Sequence, residues 1–215
     1  MHIPDGFLDA KTFVTLDVVG AGFVAVAAAR ARRTLSERAV PLMAVLAAFI
    51  FAAQMLNFPV AGGTSGHFAG GALAAIILGP WAAVLVMTLV LVIQALLFGD
   101  GGVLALGANV FNIAVVAPFV GYALYRLIRR LWRNEAGRFV ASFAAAWLAV
   151  VAAASACAVE LAISGTIPLA VVLPTMAAVH AVIGVGEGLI TALALGALRA
   201  TRPDLLELSP GGGAP

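Results

Sequence analysis

Charge is scarce in this chain: 10% of its 215 residues are Asp, Glu, Lys or Arg, where a soluble domain carries about 25%. With 63% hydrophobic residues and a mean hydropathy of +1.11, an ordinary soluble domain is excluded. Cysteine is nearly absent. The single Cys157 lies inside an apolar run, which excludes a disulfide framework or a cysteine metal cluster within one chain. No Gly-x-x-x-x-Gly-Lys-Ser/Thr segment occurs, so the chain has no phosphate loop with which to hydrolyse ATP. The N-terminus, Met1-His2-Ile3-Pro4-Asp5-Gly6-Phe7, has no basic residue before Lys11. A secretory signal would begin with one, so the start is expected to remain as encoded. Despite a pI near 9.2, the net charge is only +2, too weak a field for nucleic acid. No fixed-period repeat is present.

Long apolar runs are what remains. A bilayer core of roughly 30 Å needs about 20 apolar residues per helical span, and spans are read at roughly 12–30, 40–57, 69–78, 80–98, 108–128, 139–163 and 170–199. The third is too short to cross upright, so it is expected to be tilted, buried in protein or fused to its neighbour across Gly79-Pro80. The arginines set the orientation. Arg30, Arg32, Arg33 and Arg38 follow span one, Arg126, Arg129, Arg130, Arg133 and Arg138 separate spans five and six, and Arg199 and Arg202 follow span seven. Placing all eleven in the cytoplasm demands an N-terminus outside, a C-terminus inside and an odd number of crossings. Seven satisfies this. The fold expected is an all-α polytopic membrane protein, with one domain over 1–205 and a flexible tail over 206–215.

The outer face then carries residues 1–10 and the loops 58–68, 99–107 and 164–169, with His2, His67, Asp5, Asp9 and Asp100. A histidine at position two offers a metal three nitrogens from one short stretch: the Met1 α-amine, the His2 amide and the His2 ring Nδ1. The fused chelate rings are planar, which suits Cu(II), Ni(II) and Co(II) over tetrahedral Zn(II). One equatorial position stays open, and His67, at the end of a glycine-rich loop on the same face, can supply an imidazole. A histidine in such a loop is otherwise a solvated or capping residue. Thr64 and Ser65 read as caps of the third helix, and Asn57 as a partner for loop backbone.

Polar residues inside spans are expensive and need partners; here they are Gln54, Gln94, Asn109, Asn112, Glu160, His180 and Glu187. His180 and Glu187, two turns apart on one face, read either as a proton relay or as hydrogen bonds that fix packing or hold the N-terminal segment. Ala21, Ala25 and Ala29 form a small-residue face on span one that would admit a partner helix. Cys157 and the methionines Met43, Met55, Met87 and Met176 read as packing rather than soft ligands.

Five motifs together resemble the substrate-specific M components, CbiM and NikM, of cobalt and nickel transporters of the energy-coupling factor type. They are Met-His-Ile-Pro-Asp-Gly-Phe at 1–7, Gln-Met-Leu-Asn-Phe-Pro-Val at 54–60, Gly-Gly-Thr-Ser-Gly-His at 62–67, Gly-Ala-Asn-Val-Phe-Asn at 107–112 and His-Ala-Val-Ile-Gly-Val-Gly-Glu at 180–187. The resemblance covers nearly the whole chain. It implies seven helices with the N-terminal segment folded back into their core, and a planar metal set of the Met1 amine, the His2 amide and ring nitrogens, and His67. From their own chemistry, Asn57, Ser65, Asn109, Asn112, His180 and Glu187 read as residues around that set or as structural hydrogen-bond partners. It also implies a cell membrane, bacterial or archaeal, a CbiQ-like coupling protein, CbiO-like ATPases and a small CbiN-like membrane protein. The transported substrate would be Co(2+) or Ni(2+), with no organic cofactor. A chain ending soon after span seven resembles the cobalt branch, which feeds cobalamin synthesis; the nickel branch shares every motif. Two rival classes are a proton-coupled transporter using His180 and Glu187, and a membrane enzyme with Glu187 as base.

Overall fold

A computed structural model describes residues 1–60 and 64–208, and the side chains of 57–60, 64–65 and 207–208 are not considered. Among the described residues seven long or short helices follow one another: α1 (Ala10–Thr34), α2 (Ala39–Gln54), α3 (Gly71–Leu78), α4 (Pro80–Phe98), α5 (Leu106–Leu131), α6 (Glu135–Ile163) and α7 (Leu169–Thr201). A 3-10 helix over Pro203–Leu208 comes after them. Five are long and apolar enough to cross a membrane, and α2 is a shorter apolar helix. This is an all-α polytopic membrane protein. Local chemistry sets the ends: the Asp9 carboxylate accepts from Thr12 N–H at the start of α1, and the Asn134 carboxamide oxygen from Gly137 N–H at the start of α6, as N-caps do. Pro80 begins α4, where its missing N–H costs nothing.

Side-chain size sorts the surface from the interior. Large aliphatics point outward, Val18, Leu97 and Val182 being 69%, 75% and 74% exposed. Alanines such as Ala72, Ala75, Ala146, Ala149 and Ala153 fill the interior. Helices in lipid gain nothing by hiding leucine from water and gain contact by hiding small residues. At Gly121 of α5, a Cβ would sit 2.7 Å from the Ala72 Cβ and 3.2 Å from the Ala149 Cβ; glycine there lets α3, α5 and α6 meet.

The third helix is the unusual one. Helix α3 has eight residues, seven of them buried, so of the three expectations the protein-buried one holds. Before it, the chain does not form the simple loop expected over 58–68: β1 (Asn57–Val60) and β2 (Thr64–His67) pair antiparallel, Asn57 opposite His67. Ser65 therefore lies in a strand, and neither it nor Thr64 is at the start of α3; Gly70 holds that position with no side-chain cap. Gly70 has φ +77°, and a Cβ on it would lie 2.8 Å from Ile50 Cγ2. Both conditions call for glycine.

The basic helix ends gather together. Arg129 at the end of α5 donates to the carbonyls of Trp132, Arg133 and Asn134. Arg199 at the end of α7 and Arg138 of α6 each lie 3.4 Å from Glu135, and Arg30 of α1 stacks 4.4 Å over Trp81 of α4. At the opposite ends of these helices, Asp9 accepts from the Ser164 hydroxyl at 3.3 Å.

Candidate metal centre

Residues 1–9 form a strap that descends from that acidic rim into the bundle. At the rim the Thr166 hydroxyl donates to the Phe7 carbonyl. Deeper, the Asp5 carboxylate accepts the N–H groups of Val103, Leu104 and Ala105 at 3.1, 2.8 and 3.3 Å. Gly102 N–H donates to the Ile3 carbonyl at 2.8 Å. Asn109 of α5 then pairs with both polar groups of Ile3, accepting its N–H at 2.7 Å and donating to its carbonyl at 3.1 Å. With Ile3 held from two sides, Met1 and His2 are fully enclosed, 0% and 2% exposed.

His67 meets this strap from the other direction. Its ring stacks on His2 with centroids 4.4 Å apart and planes 30° from parallel. His67 Nδ1 lies 2.7 Å from the Phe68 carbonyl, which can only accept, so Nδ1 carries the proton and Nε2 keeps a lone pair. That is the tautomer a metal needs. Nε2 is buried with no hydrogen-bond partner among the described residues. The turn after His67 is clamped: Ala69 and Gly70 N–H both donate to the Glu187 carboxylate, at 2.8 and 2.9 Å. The Ala69 carbonyl accepts from Gln54 at 2.7 Å, and Gln54 in turn accepts from Gln94 at 2.9 Å. Glu187 thus takes the place expected of Thr64 and Ser65, satisfying donors at the entry to α3.

Burial keeps these nitrogens neutral. It pushes the Met1 amine down from 8.0 to about 5 against the opposing influence of Cys157 and Asp100. His67 lies well below its ordinary value, first through burial and then through the amine, His2 and His180. His2 is lowered by burial and raised again by Asp100, whose Oδ1 lies 2.9 Å from His2 Nδ1. A metal at Nδ1 would have to displace this Asp100 contact. Among the described residues no three His, Cys, Asp or Glu side chains converge on one point. A multidentate nitrogen site here has to draw on the backbone.

The structure brings Met1, His2, His67, Asn109, Glu187 and His180 into one neighbourhood, since the Met1 amine also interacts electrostatically with His180. Asn112 donates to Glu160 at 2.6 Å, and through that pair joins α5 to α6. The side chains of Asn57 and Ser65 lie outside the described part. Ala21, Ala25 and Ala29 are all exposed on α1. Asp100, Asp5, Gln54 and Gln94 also belong to the site. Gln54 and Gln94 carried the signal of buried polar groups in need of partners; Asp100 carried only its place on the outer face.

The model of the CbiM family, described as the cobalt uptake substrate-specific transmembrane region, matches residues 2–205. This chain belongs to that family. A putative fused nickel transport protein NikMN of Archaeoglobus fulgidus is 46% identical over 96% of this chain and 68% of its own length. The cobalt transport protein CbiM of Sorangium cellulosum is 35% identical over 96% of this chain and 95% of its own. A crystal structure of a truncated transition metal transporter superposes with a TM-score of 0.87 at 40% identity, covering 93% of this chain and 99% of that one. The chain is a component of CbiM/NikM-type cobalt and nickel transport, a transport protein rather than an enzyme, in a multi-pass membrane setting.

Proposed function

We propose that this chain is the substrate-binding component of an ATP-driven importer of the energy-coupling factor type that takes up Co(2+) for cobalamin synthesis. The metal is held in a plane by the Met1 amine, the His2 amide and Nδ1, and His67 Nε2. The observation that carries this reading is the burial of the N-terminal residue next to the stacked rings of His2 and His67, a burial that pushes the Met1 amine down to about 5. An α-amine is otherwise charged and solvated at neutral pH, and its desolvation is costly unless the lone pair has a use. Ni(2+) fits the same four nitrogens, because planar fields suit both ions, and the fused relatives named for nickel support that alternative.

Release calls for work from outside the chain. A preformed chelate holds its ion firmly, and the sequence has no phosphate loop. A coupling protein like CbiQ, ATPases like CbiO and a small CbiN-like protein would supply it, with the exposed Ala21, Ala25 and Ala29 face of α1 as a contact for a partner helix. With the arginine-bearing helix ends in the cytoplasm, the strap opens outward and transport is import. A proton relay from His180 to Glu187 gains no support: both Glu187 oxygens are occupied by backbone N–H groups.

The test is metal per folded protein. His2→Ala should abolish binding, and His67→Ala should leave three nitrogens, weaker binding and a shifted visible band; parent-like stoichiometry and spectrum in both variants would contradict the site.

A further inference from the structure

We propose that the groove between α1 and α2, at their arginine-bearing ends, binds one anionic phospholipid, with an acyl chain in the groove and the phosphate on Arg32. This site uses no residue of the proposed chelate. Helices α1 and α2 are consecutive, yet each packs on α4, and a cavity of about 510 Å3 lies between them. Leu85, Val86 and Leu89 of α4 form its floor, and Met43, Ala44 and Ala47 its α2 wall. Val40 and Leu89 both line it and are 59% and 53% exposed, so the groove opens away from the bundle. Side chains around an empty space of this size lose dispersion contacts. In a bilayer the filler at hand is an acyl chain, as apolar as leucine.

Charge at one end of the groove selects the headgroup. Arg32, Ser36 and Glu37 line the same cavity, which is therefore apolar along its length and polar at its mouth, as a phospholipid is. Three arginines in this stretch, Arg32, Arg33 and Arg38, against the carboxylate of Glu37 leave two positive charges in excess. None of the four takes part in the ion pairs formed among the described residues. Basic pockets between membrane helices hold anionic headgroups, and the guanidinium fork matches phosphate oxygens. Glu37 opposes an anion at the same mouth and so limits its affinity. The depth of the groove favours a lipid over a partner helix. From Val40 to Ala47, α2 advances about 10 Å at 1.5 Å per residue, about a third of a hydrocarbon core of roughly 30 Å. A membrane-spanning partner needs a face running most of that depth, whereas the part of an acyl chain next to its headgroup does not.

The experiment titrates the purified full chain, in mild detergent, with phosphatidylglycerol or phosphatidylcholine and counts bound lipid per chain by native mass spectrometry. Phosphatidylglycerol should bind as one molecule per chain and more tightly than phosphatidylcholine. Arg32→Gln should weaken it about fivefold and Glu37→Gln should strengthen it by a similar factor, the effect of one charge near an anionic lipid. Ala44→Trp, which fills the groove, should remove the site. Equal affinity for the two lipids, parent-like binding by Arg32→Gln, or competition by glycerol phosphate at the concentration of the lipid would overturn the proposal, the last by showing a site for free phosphate. Unchanged lipid binding in an Ala44→Trp variant that no longer co-purifies with a membrane partner would also overturn it, giving the groove to a protein helix. If the tryptophan variant does not fold, the opposite shifts of Arg32→Gln and Glu37→Gln decide, since a folding defect does not raise affinity.

Discussion

Asn109 holds Ile3 by both of its backbone polar groups, across 106 residues of sequence. The pairing fixes the two peptide units on either side of Ile3, next to a His2 that is already buried. If Met1 and His2 supply the proposed chelate, this pre-ordering avoids the cost that a mobile N-terminus would bring to binding.

Asn109→Ala removes both bonds and leaves the Ile3 N–H buried without an acceptor. Stranding such a group costs about 1–3 kcal/mol, so metal affinity should fall about 5- to 150-fold while helicity is retained. Calorimetric titration with Ni(II) beside circular dichroism separates the two. Unchanged affinity would remove Asn109 from the site.

Glu187 acts on His67 through Ala69 and Gly70. Glu187→Gln replaces one acceptor oxygen by an NH2 group that faces a backbone N–H, so one of the two clamps is lost. The expected result is weaker Ni(II) binding with the visible band moved toward that of His67→Ala. Gln54→Ala should move it the same way by loosening Ala69. A parent band in both variants would show that the turn after His67 needs neither clamp.

The burial of Asn109, Gln54 and Glu187 with hydrogen-bond partners is legible in the sequence from the cost of polar groups in apolar helices, and the shared outer face of His2 and His67 from the loops that carry them. The helical segments followed from hydropathy because the runs are long. The pairing of 57–60 with 64–67 is not legible, since two four-residue segments carrying Pro59 and Gly66 give no clear alternation. The Asp100 contact with His2 joins positions 98 apart, which no local pattern announces. Thr64 and Ser65 were misplaced as caps for a related reason. The true acceptor, Glu187, comes from a helix more than a hundred residues away.

The strap sets a pH dependence. The Met1 amine has a value of about 5 in the folded chain and 8.0 ordinarily. Between these values the unfolded chain binds more protons, so stability rises with pH across that window and declines toward its acid end. Binding through the proposed His2 amide should displace its proton throughout, giving an affinity slope of about one decade per pH unit. Below about 5 the amine competes as well and the slope steepens. Titrations in buffers of different ionisation heat report the protons released. A constant slope through that region would contradict a neutral amine ligand.

Orientation has its own test. Leu104 lies in the loop beside the strap and is 54% exposed, whereas Glu37 is exposed between α1 and α2, at the arginine-bearing ends. In intact cells, Leu104→Cys should react with an impermeant thiol reagent and Glu37→Cys should not, the buried Cys157 giving no background. The reverse pattern would overturn import.

The most direct measurement concerns the α-amine itself. Protein with a free Met1 and the same protein with its N-terminus acetylated or extended by a few residues are compared for Ni(II) or Co(II) bound per folded chain, and for the visible band of the planar complex. Blocking the amine removes one donor, and extension also forces new residues into a space where Met1 is 0% exposed. The account predicts one planar metal in the free form and loss of that metal in the blocked forms. Full stoichiometry with an unchanged band after blocking would contradict it.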